Sequence, residues 1–206
     1  FSREALIDQL GVFFLAGHET TASALTWAFY IPADPPQWLS HLREEIAGVV
    51  GDAPVTFEHT RQLPLTKAFF KETLRLYPPI TFMPRVALRE ATVAGRRLRK
   101  GALVMIAPWT LHRNGKWWSD PHAFRPERFL PENEDALIQG AYIPFGQGPH
   151  TCVGAGFAQT ESVLILAELV RQFDWLLSPG QTVRPAARMT TRPADQVMLH
   201  VRHLAA

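Results

Sequence analysis

Residues 145–156 form a segment, F-G-Q-G-P-H-T-C-V-G-A-G, that is poor in bulky side chains and holds the only cysteine of the chain, Cys152. Its glycines, among them Gly146, adopt backbone conformations that other residues avoid, and they let N–H groups or a flat ligand approach closely. A helical run predicted to begin near Val153 places the positive end of a helix beside the sulfur, which favours an ionised thiolate. The segment therefore predicts a loop in which Cys152 is a ligand.

Two other roles for Cys152 fit less well. A lone free cysteine is most often a small buried hydrophobic residue, but packing alone needs neither the nearby glycines nor a histidine two positions earlier, His150. A zinc site needs about four nitrogen or sulfur ligands, and the sequence has one cysteine and neither C-x-x-C nor H-x-x-x-H spacing. Binding of a cofactor through one sulfur is the favoured interpretation.

Composition bounds the class of protein. The chain has 206 residues, of which 47% are hydrophobic and 19% charged, and this is the composition of a globular protein able to bury a core. A net charge of +2 is too small to indicate nucleic-acid binding, and the basic run at 96–100 is interpreted as a solvated hairpin. No apolar run reaches the roughly 18 to 20 residues of a membrane span. The single cysteine and the alanine- and arginine-rich composition favour a bacterial, cytoplasmic protein, with a lost N-terminal anchor left open.

Prolines and turn residues predict a mainly α fold with small β-sheets. Residues 3–30 lack proline and predict one long helix, ended by Pro32, Pro35 and Pro36. Further helices are predicted at 37–50, 65–77 and 158–173, with a helical piece within 57–63. Strands are predicted at 92–93, 96–98 and 103–106, and a closing hairpin at 189–193 and 197–201.

Two polar patterns lie within these helices. Residues 16–21, A-G-H-E-T-T, place a glycine before an acid and two threonines, which invites a local opening of the helix that can hold a ligand or water. An ordinary kinked core helix is the alternative, and the segment taken alone favours it. Glu72 and Arg75 stand three apart, where opposite charges meet on one helix face. Taken alone they form a surface pair that contributes a few tenths of a kcal/mol.

The cysteine segment resembles the haem-binding signature of the cytochrome P-450 superfamily, F-x-x-G-x-H-x-C-x-G, at Phe145, Gly148, His150, Cys152 and Gly154. The resemblance covers essentially the whole chain, because three further family landmarks occur in the same order. They are A-G-x-E-T-T at 16–21, E-x-x-R at 72–75 and P-E-R-F at 126–129. It implies that residues 1–206 are the C-terminal portion of a single domain with the cytochrome P-450 fold, whose N-terminal half is absent.

The resemblance also implies how the cofactor, haem b, is held. Cys152 is expected to be the proximal ligand of the iron, and His150 to pair with a haem propionate. Four more residues are expected at the cofactor: Phe145 and Gly146 beside the sulfur, Arg85 at a propionate, and His112, which is expected to be structural or to bind a propionate. A buried network of Glu72, Arg75 and Arg128 is expected to lock the cysteine loop, with a folding role.

On the opposite side of the cofactor, the resemblance implies that Ala16 and Gly17 border the oxygen site. Glu19 and Thr20 are expected to relay the two protons that O–O cleavage consumes, while the thiolate pushes electron density onto the oxygen. Three apolar residues are expected to face the substrate: Ile80, Phe82 and Met189. For the first two, plain core packing is equally open.

The implied activity is a monooxygenase that activates dioxygen and hydroxylates an apolar substrate. Its electrons come ultimately from NAD(P)H, through a ferredoxin or a flavin reductase expected on the cysteine side, near Arg113 or Lys116. The alternative is a truncated haem-binding or inert fragment that keeps these landmarks without turnover. A third possibility, oxidation driven by hydrogen peroxide, is disfavoured because family members specialised for it tend to lack the acid and threonine found here at Glu19 and Thr20.

Overall fold

The structure, a computed structural model, describes residues 1–34, 36–136 and 139–204, without the side chains of 134 and 135. The helices in these ranges are α1 (Arg3–Tyr30), α2 (Gln37–Val50), α3 (Phe57–Thr60), α4 (Pro64–Leu76), α5 (Pro108–Leu111) and α6 (Ala155–Gln172). The strands are β1 (Met83–Val86), β2 (Ala91–Val93), β3 (Arg96–Leu98), β4 (Leu103–Ile106), β5 (Phe173–Leu177), β6 (Pro185–Ala187), β7 (Thr191–Pro193) and β8 (Leu199–His203). They form two-stranded antiparallel sheets, so the predicted class, mainly α with small sheets, is confirmed.

Local signals set the ends of α1. The hydroxyl of Ser2 accepts a hydrogen bond from the N–H of Ala5 at 3.1 Å and caps the first turn. At the other end the chain tightens into a 3-10 turn at Ile31–Ala33, which contains Pro32. Pro36 then forms the cap of α2, whereas Pro35 lies outside the described residues. Prolines therefore separate α1 from α2, as the sequence predicts.

The start of α4 depends on a distant acid. Glu45 of α2 accepts hydrogen bonds from the N–H groups of Leu65 at 2.6 Å and Thr66 at 2.8 Å, and from the Thr66 hydroxyl at 2.7 Å. The first N–H groups of a helix have no partner within it and carry partial positive charge, so a carboxylate there stabilises the helix. α4 begins at Pro64, one residue before the predicted start.

The core lies between α2, α4, α6 and the C-terminal half of α1. Large side chains from each of these helices are fully buried in it, among them Trp27, Leu42, Phe69 and Leu166. The stripe predicted on α6, at Val163, Leu166 and Val170, is buried throughout. The C-terminal half of α1 and the N-terminal end of α6, which follows the cysteine loop, are therefore held on one packed body.

The predicted closing hairpin is wrong in its pairing. Strand β7 pairs with β6, and β8 pairs with β5, which follows α6 directly and places Phe173 opposite His203. α6 consequently ends at Gln172, one residue before the predicted end. Alternation of side chains indicates that a segment is a strand but does not specify its partner, which hydrogen bonding between distant segments decides.

A buried ion pair lies at the centre of α4. Arg75 donates from Nε to Glu72 Oε2 at 2.6 Å and from its second terminal nitrogen to Oε1 at 2.8 Å, and both side chains are 0% exposed. Its remaining donations go to the backbone carbonyls of His112 and Pro121, both at 2.7 Å, and Ala123 at 3.0 Å. The pair is therefore internal, and it joins α4 to two later segments of the chain.

Arg128 approaches the same carboxylate, with Nε 3.5 Å from Glu72 Oε1. The backbone N–H of Arg125 donates to that oxygen at 2.8 Å, and Arg128 donates to the carbonyl of Asp120 at 3.0 Å. Burial raises the pKa of Glu72, and the hydrogen bonds and charges of Arg75 oppose that rise. The three residues expected to form one network do lie together, and they fix the segment at 119–128 against α4.

Replacing Arg75 by Met is expected to lower the free energy of unfolding by about 3 to 5 kcal/mol, because the substitution leaves a buried carboxylate without its main partner. Urea unfolding followed by circular dichroism measures this. The matched control is Arg97→Met, since Arg97 makes a similar two-point pair with Glu90 that is exposed to solvent. Equal destabilisation in both variants would contradict a folding role for the buried pair.

Candidate cofactor and active site

Cys152 lies in a closed turn just before α6. Its N–H donates to the carbonyl of Phe145 at 2.8 Å, and the N–H of Gly146 donates to the carbonyl of Ile143 at 3.1 Å. Gly146 and Gly148 have φ of +76° and +74°, a region that side chains disfavour, so the turn requires glycine at both positions. The thiol is free and exposed.

The residues of this turn fit a flat cofactor bound through sulfur. A Cβ atom at Gly146 would meet the His150 carbonyl at 3.3 Å and the Met83 sulfur at 3.5 Å, and one at Gly154 would stand 3.8 Å from the Cys152 sulfur. Met83 begins β1, so the β1–β4 sheet lies against the loop. That sheet and the residue before it expose large apolar side chains, which are Phe82, Val86, Leu103, Met105 and Ile106. An exposed thiol beside apolar surface is the donor set that a haem-thiolate centre needs.

Two of the expected propionate partners are accessible. His150 is exposed at the end of the 3-10 turn Gly148–His150. Arg85 is half-buried in β1, opposite Val104, and donates to the carbonyl of Pro84 at 2.8 Å. Within the described ranges neither side chain pairs with an acid, so both are available to an anionic group.

Both ring nitrogens of His112 make contacts inside the protein. It is 0% exposed, its Nε2 accepts a hydrogen bond from the N–H of Ile143 at 2.9 Å, and its Nδ1 lies 3.2 Å from the carbonyl of Arg75. A neutral ring with the proton on Nδ1 satisfies both contacts. Burial lowers the pKa of His112 to about 4. Of the two roles expected for His112, the geometry favours the structural one, because no ring nitrogen is left for a propionate.

The long helix is not opened at its polar pattern. α1 continues through Ala16 and Gly17, and the hydroxyl of Thr20 donates to the carbonyl of Ala16 at 2.7 Å. The local opening, one of the two alternatives for this segment, does not occur in this structure, because the threonine shares a helical carbonyl and the helix continues. The other alternative, a core helix, does not describe the segment either, since residues 16–21 are exposed or half-buried. A Cβ at Gly17 would meet nothing within 4 Å, so the helix surface there is free.

The acid of this pattern has a distant partner. The hydroxyl of Thr190, in the turn between β6 and β7, donates to Glu19 Oε1 at 2.9 Å, and Thr190 is only 3% exposed. The sequence predicts a position at the substrate for the neighbouring residue, Met189, but does not predict this hydrogen bond. No local pattern signals it, since the two residues are 171 positions apart.

The expected substrate residues differ in exposure. Phe82 and Met189 are 49% and 62% exposed, whereas Ile80 is half-buried. Plain core packing is therefore excluded for Phe82 and stays open for Ile80. The N-terminal half of α1 is exposed as well, with large apolar side chains at Leu6, Ile7, Leu10, Val12, Phe13, Phe14 and Leu15.

Comparison with known proteins identifies the family. The family model described as cytochrome P-450 matches residues 1–201. The chain is 37% identical to mouse cytochrome P-450 4V2 over 179 residues, which are 86% of the chain and 34% of the relative. It is 34% identical to mouse cytochrome P-450 4A10 over 205 residues (98% of the chain, 40% of the relative). It is 35% identical to cyclooctatin synthase of Streptomyces melanosporofaciens over 189 residues (92% and 41%).

The chain therefore belongs to the cytochrome P-450 family, whose cofactor is haem. It spans about a third to two fifths of the length of these curated relatives. Among the described residues, no helix combines the length and apolar character needed to cross a membrane. Because the relatives include mammalian and bacterial proteins, the expected bacterial origin stays a prediction.

His112 is expected to make folding depend on pH between about 7 and about 4. Its pKa is lowered to about 4 in the folded chain from an ordinary 6.5, so the unfolded chain takes up a proton first as the pH falls. Stability is then lost with decreasing pH, by about 3 kcal/mol at pH 4 from this group.

Urea unfolding of the wild-type chain and His112→Gln across this range measures the effect. The variant is expected to be less stable than the wild type at pH 7. The difference between their free energies of unfolding is expected to narrow by about 3 kcal/mol towards pH 4. His200→Gln, at an exposed histidine, is the control and keeps the wild-type pH dependence. A constant gap between wild type and His112→Gln would contradict burial of a neutral ring.

Proposed function

We propose that the chain is the C-terminal portion of a haem-thiolate monooxygenase domain that activates dioxygen and hydroxylates an apolar organic substrate. The observation that carries this proposal is the exposed Cys152 thiol in a glycine-lined turn before α6, in a chain of the cytochrome P-450 family. A cytoplasmic location remains an expectation from composition alone.

Cys152 would hold haem b through its sulfur, and His150 and Arg85 would pair with the propionates. Phe145 supplies the carbonyl that fixes the Cys152 backbone. Gly146 leaves no side chain between the His150 carbonyl and the Met83 sulfur, and Gly154 leaves none beside the Cys152 sulfur. When bound, haem supplies the redox and oxygen chemistry, which side chains alone do not provide. The protein's part is to present one anionic sulfur ligand on one side and proton donors on the other.

Glu19 and Thr20 are the proposed proton donors. Glu19 is half-buried, with one oxygen held by Thr190 and the other without a partner among the described residues. The Thr20 hydroxyl points its proton at the Ala16 carbonyl, so its oxygen is free to accept a hydrogen bond from water. An acid and an alcohol at adjacent helix positions can in this way pass a proton from solvent towards the oxygen site.

The electrons are proposed to come ultimately from NAD(P)H through a ferredoxin or a flavin reductase that docks on the cysteine side. Of the two cations considered for this surface, Arg113 packs its guanidinium over Trp109 at 3.5 Å and donates to the carbonyl of Leu76. Burial lowers its pKa to about 10. Lys116 is exposed, so it is the better candidate to attract an acidic partner.

The substrate is proposed to be apolar, because Phe82 and Met189 expose apolar side chains on segments next to the cysteine loop and the acid of α1, respectively. Ile80 lies two residues before Phe82 and is half-buried. Burial of such side chains against a ligand contributes through the hydrophobic effect.

A haem-binding or inert fragment is the second candidate. It is favoured by the exposed apolar half of α1 and by the partial coverage of the relatives. Oxygen activation relies on a site from which water is excluded. A chain that leaves this surface open can bind the cofactor and still fail to turn over.

Cys152→Ala is expected to abolish thiolate ligation, because the chain has no second cysteine. The chain is incubated with haem and reduced, and its carbon monoxide difference spectrum is recorded. The wild type is expected to show the red-shifted band of a thiolate complex, and the variant to lack it. Val153→Ala, at an exposed neighbour, is the control and keeps the band. A wild-type spectrum typical of a neutral ligand would contradict the proposed site, and no haem uptake would favour the inert fragment.

Thr20→Ala is expected to keep the haem spectrum and to divert consumed dioxygen into hydrogen peroxide, with product per dioxygen falling about tenfold or more. The variant loses one proposed proton donor but keeps Cys152, the proposed ligand of the haem iron. Thr26→Ala is a matched control, since Thr26 makes the same hydrogen bond to the carbonyl four residues earlier, at 2.8 Å. It lies about one and two thirds turns further along α1. Full coupling of dioxygen to product in Thr20→Ala would refute the relay.

A further inference from the structure

We propose that Thr190 is a positioning residue that holds the carboxylate of Glu19 in place for proton delivery. This inference rests on the proposed monooxygenase function and adds to it a residue far from α1 in the sequence. Its basis is the hydrogen bond from the Thr190 hydroxyl to Glu19 Oε1, at 2.9 Å, made by a side chain that is 3% exposed.

Two side chains of α1 fix the turn that carries Thr190, through hydrogen bonds to one backbone carbonyl. The carbonyl of Thr191 accepts hydrogen bonds from the Ser23 hydroxyl at 2.5 Å and from the Trp27 indole N–H at 2.9 Å. The N–H of Thr191 donates to the carbonyl of Pro79 at 2.9 Å. Ser23 and Trp27 lie about one and two helical turns beyond Glu19 on α1. They therefore set the position of the Thr190 hydroxyl relative to the acid.

The turn is also closed on itself. The N–H of Arg188 donates to the carbonyl of Thr190 at 3.1 Å. Met189, which lies between these two residues, has an exposed side chain. A buried hydroxyl on a closed and anchored turn loses little further freedom when it binds a carboxylate, so the hydrogen bond costs little entropy. The Glu19 side chain, which has three rotatable bonds of its own, is the partner that becomes ordered.

A hydroxyl suits an acid that gains and loses a proton. Towards the carboxylate it donates a charge-assisted hydrogen bond, and towards the protonated acid it can accept one. Thr190 can consequently hold Glu19 in both protonation states and leave Oε2 available to water. Valine has the same shape and can do neither, whereas serine keeps the hydroxyl.

The neighbouring residue provides a matched control. Thr191, the first residue of β7, is 1% exposed, and its hydroxyl has no hydrogen-bond partner within the described part of the chain. Thr191→Val keeps the anchoring carbonyl and removes only that hydroxyl. Comparison of Thr190→Val with Thr191→Val therefore separates a specific loss of the hydrogen bond to Glu19 from a general loosening of the turn.

The first measurement is the carboxyl ¹³C chemical shift of Glu19 in the full chain, assigned by its disappearance in Glu19→Gln. Thr190→Val is expected to move this signal, while Thr190→Ser and Thr191→Val leave it at the wild-type position. This readout does not need the cofactor. An unchanged signal in a folded Thr190→Val chain overturns the proposal and leaves the monooxygenase function intact.

The second measurement is hydrogen peroxide released per dioxygen consumed by the haem-reconstituted chain. Thr190→Val is expected to raise it several-fold, to about tenfold, with an unchanged KM for substrate, and Thr190→Ser is expected to restore coupling. A moved Glu19 signal with wild-type coupling overturns the positioning role, because the bond would then be purely structural. If the wild-type chain neither binds haem nor consumes dioxygen, the proposed function fails, and the role of Thr190 fails with it.

Discussion

The buried pair of Glu72 and Arg75 is the interaction on which the cysteine side depends. Two charges removed from water are stable only when every donor and acceptor is satisfied. Here Arg75 completes its hydrogen bonds on carbonyls from 112–123, and one of them belongs to His112. The ring of His112 in turn accepts from the N–H of Ile143, two residues before the cysteine turn begins. These hydrogen bonds form a chain from α4 through His112 to Ile143, so they connect the position of the cysteine turn to α4.

The opposite side is held by side-chain hydrogen bonds between α1 and the residues 190–191. Ser23 and Trp27 of α1 converge on the carbonyl of Thr191, and Thr190 of the same turn binds Glu19. The two sides meet where the Trp27 ring stacks on Tyr77 at 3.9 Å, just after the end of α4. The residues proposed for proton delivery and those that support the sulfur are consequently parts of one packed unit, although they come from separate segments of the chain.

Exposed apolar surface is the other physical theme of the molecule. The first half of α1, the β1–β4 sheet and Met189 all present large apolar side chains to solvent. Single exposed apolar residues are ordinary on protein surfaces, whereas contiguous ones mark binding surfaces. The haem of this family and the apolar substrate proposed for the chain would together account for the apolar surface near the cysteine loop. The same exposure explains why binding of the cofactor and turnover have to be tested separately in a chain that spans about a third to two fifths of its relatives.

Much of this structure can be predicted from the sequence, because it is set by interactions between residues that are close together in the chain. Prolines set the ends of α1 and α2, glycines at positive φ define the cysteine turn, and a three-residue spacing brings Glu72 to Arg75. Near Thr20 the sequence left an opened helix and an ordinary core helix as alternatives, and the folded chain has an unopened, partly exposed helix in which the hydroxyl shares a carbonyl. The strand partner of β8, the Glu45 cap of α4 and the bond from Thr190 to Glu19 required the folded chain. Carboxylates, hydroxyls and backbone amides occur all along a sequence, and only packing in three dimensions selects which of them meet.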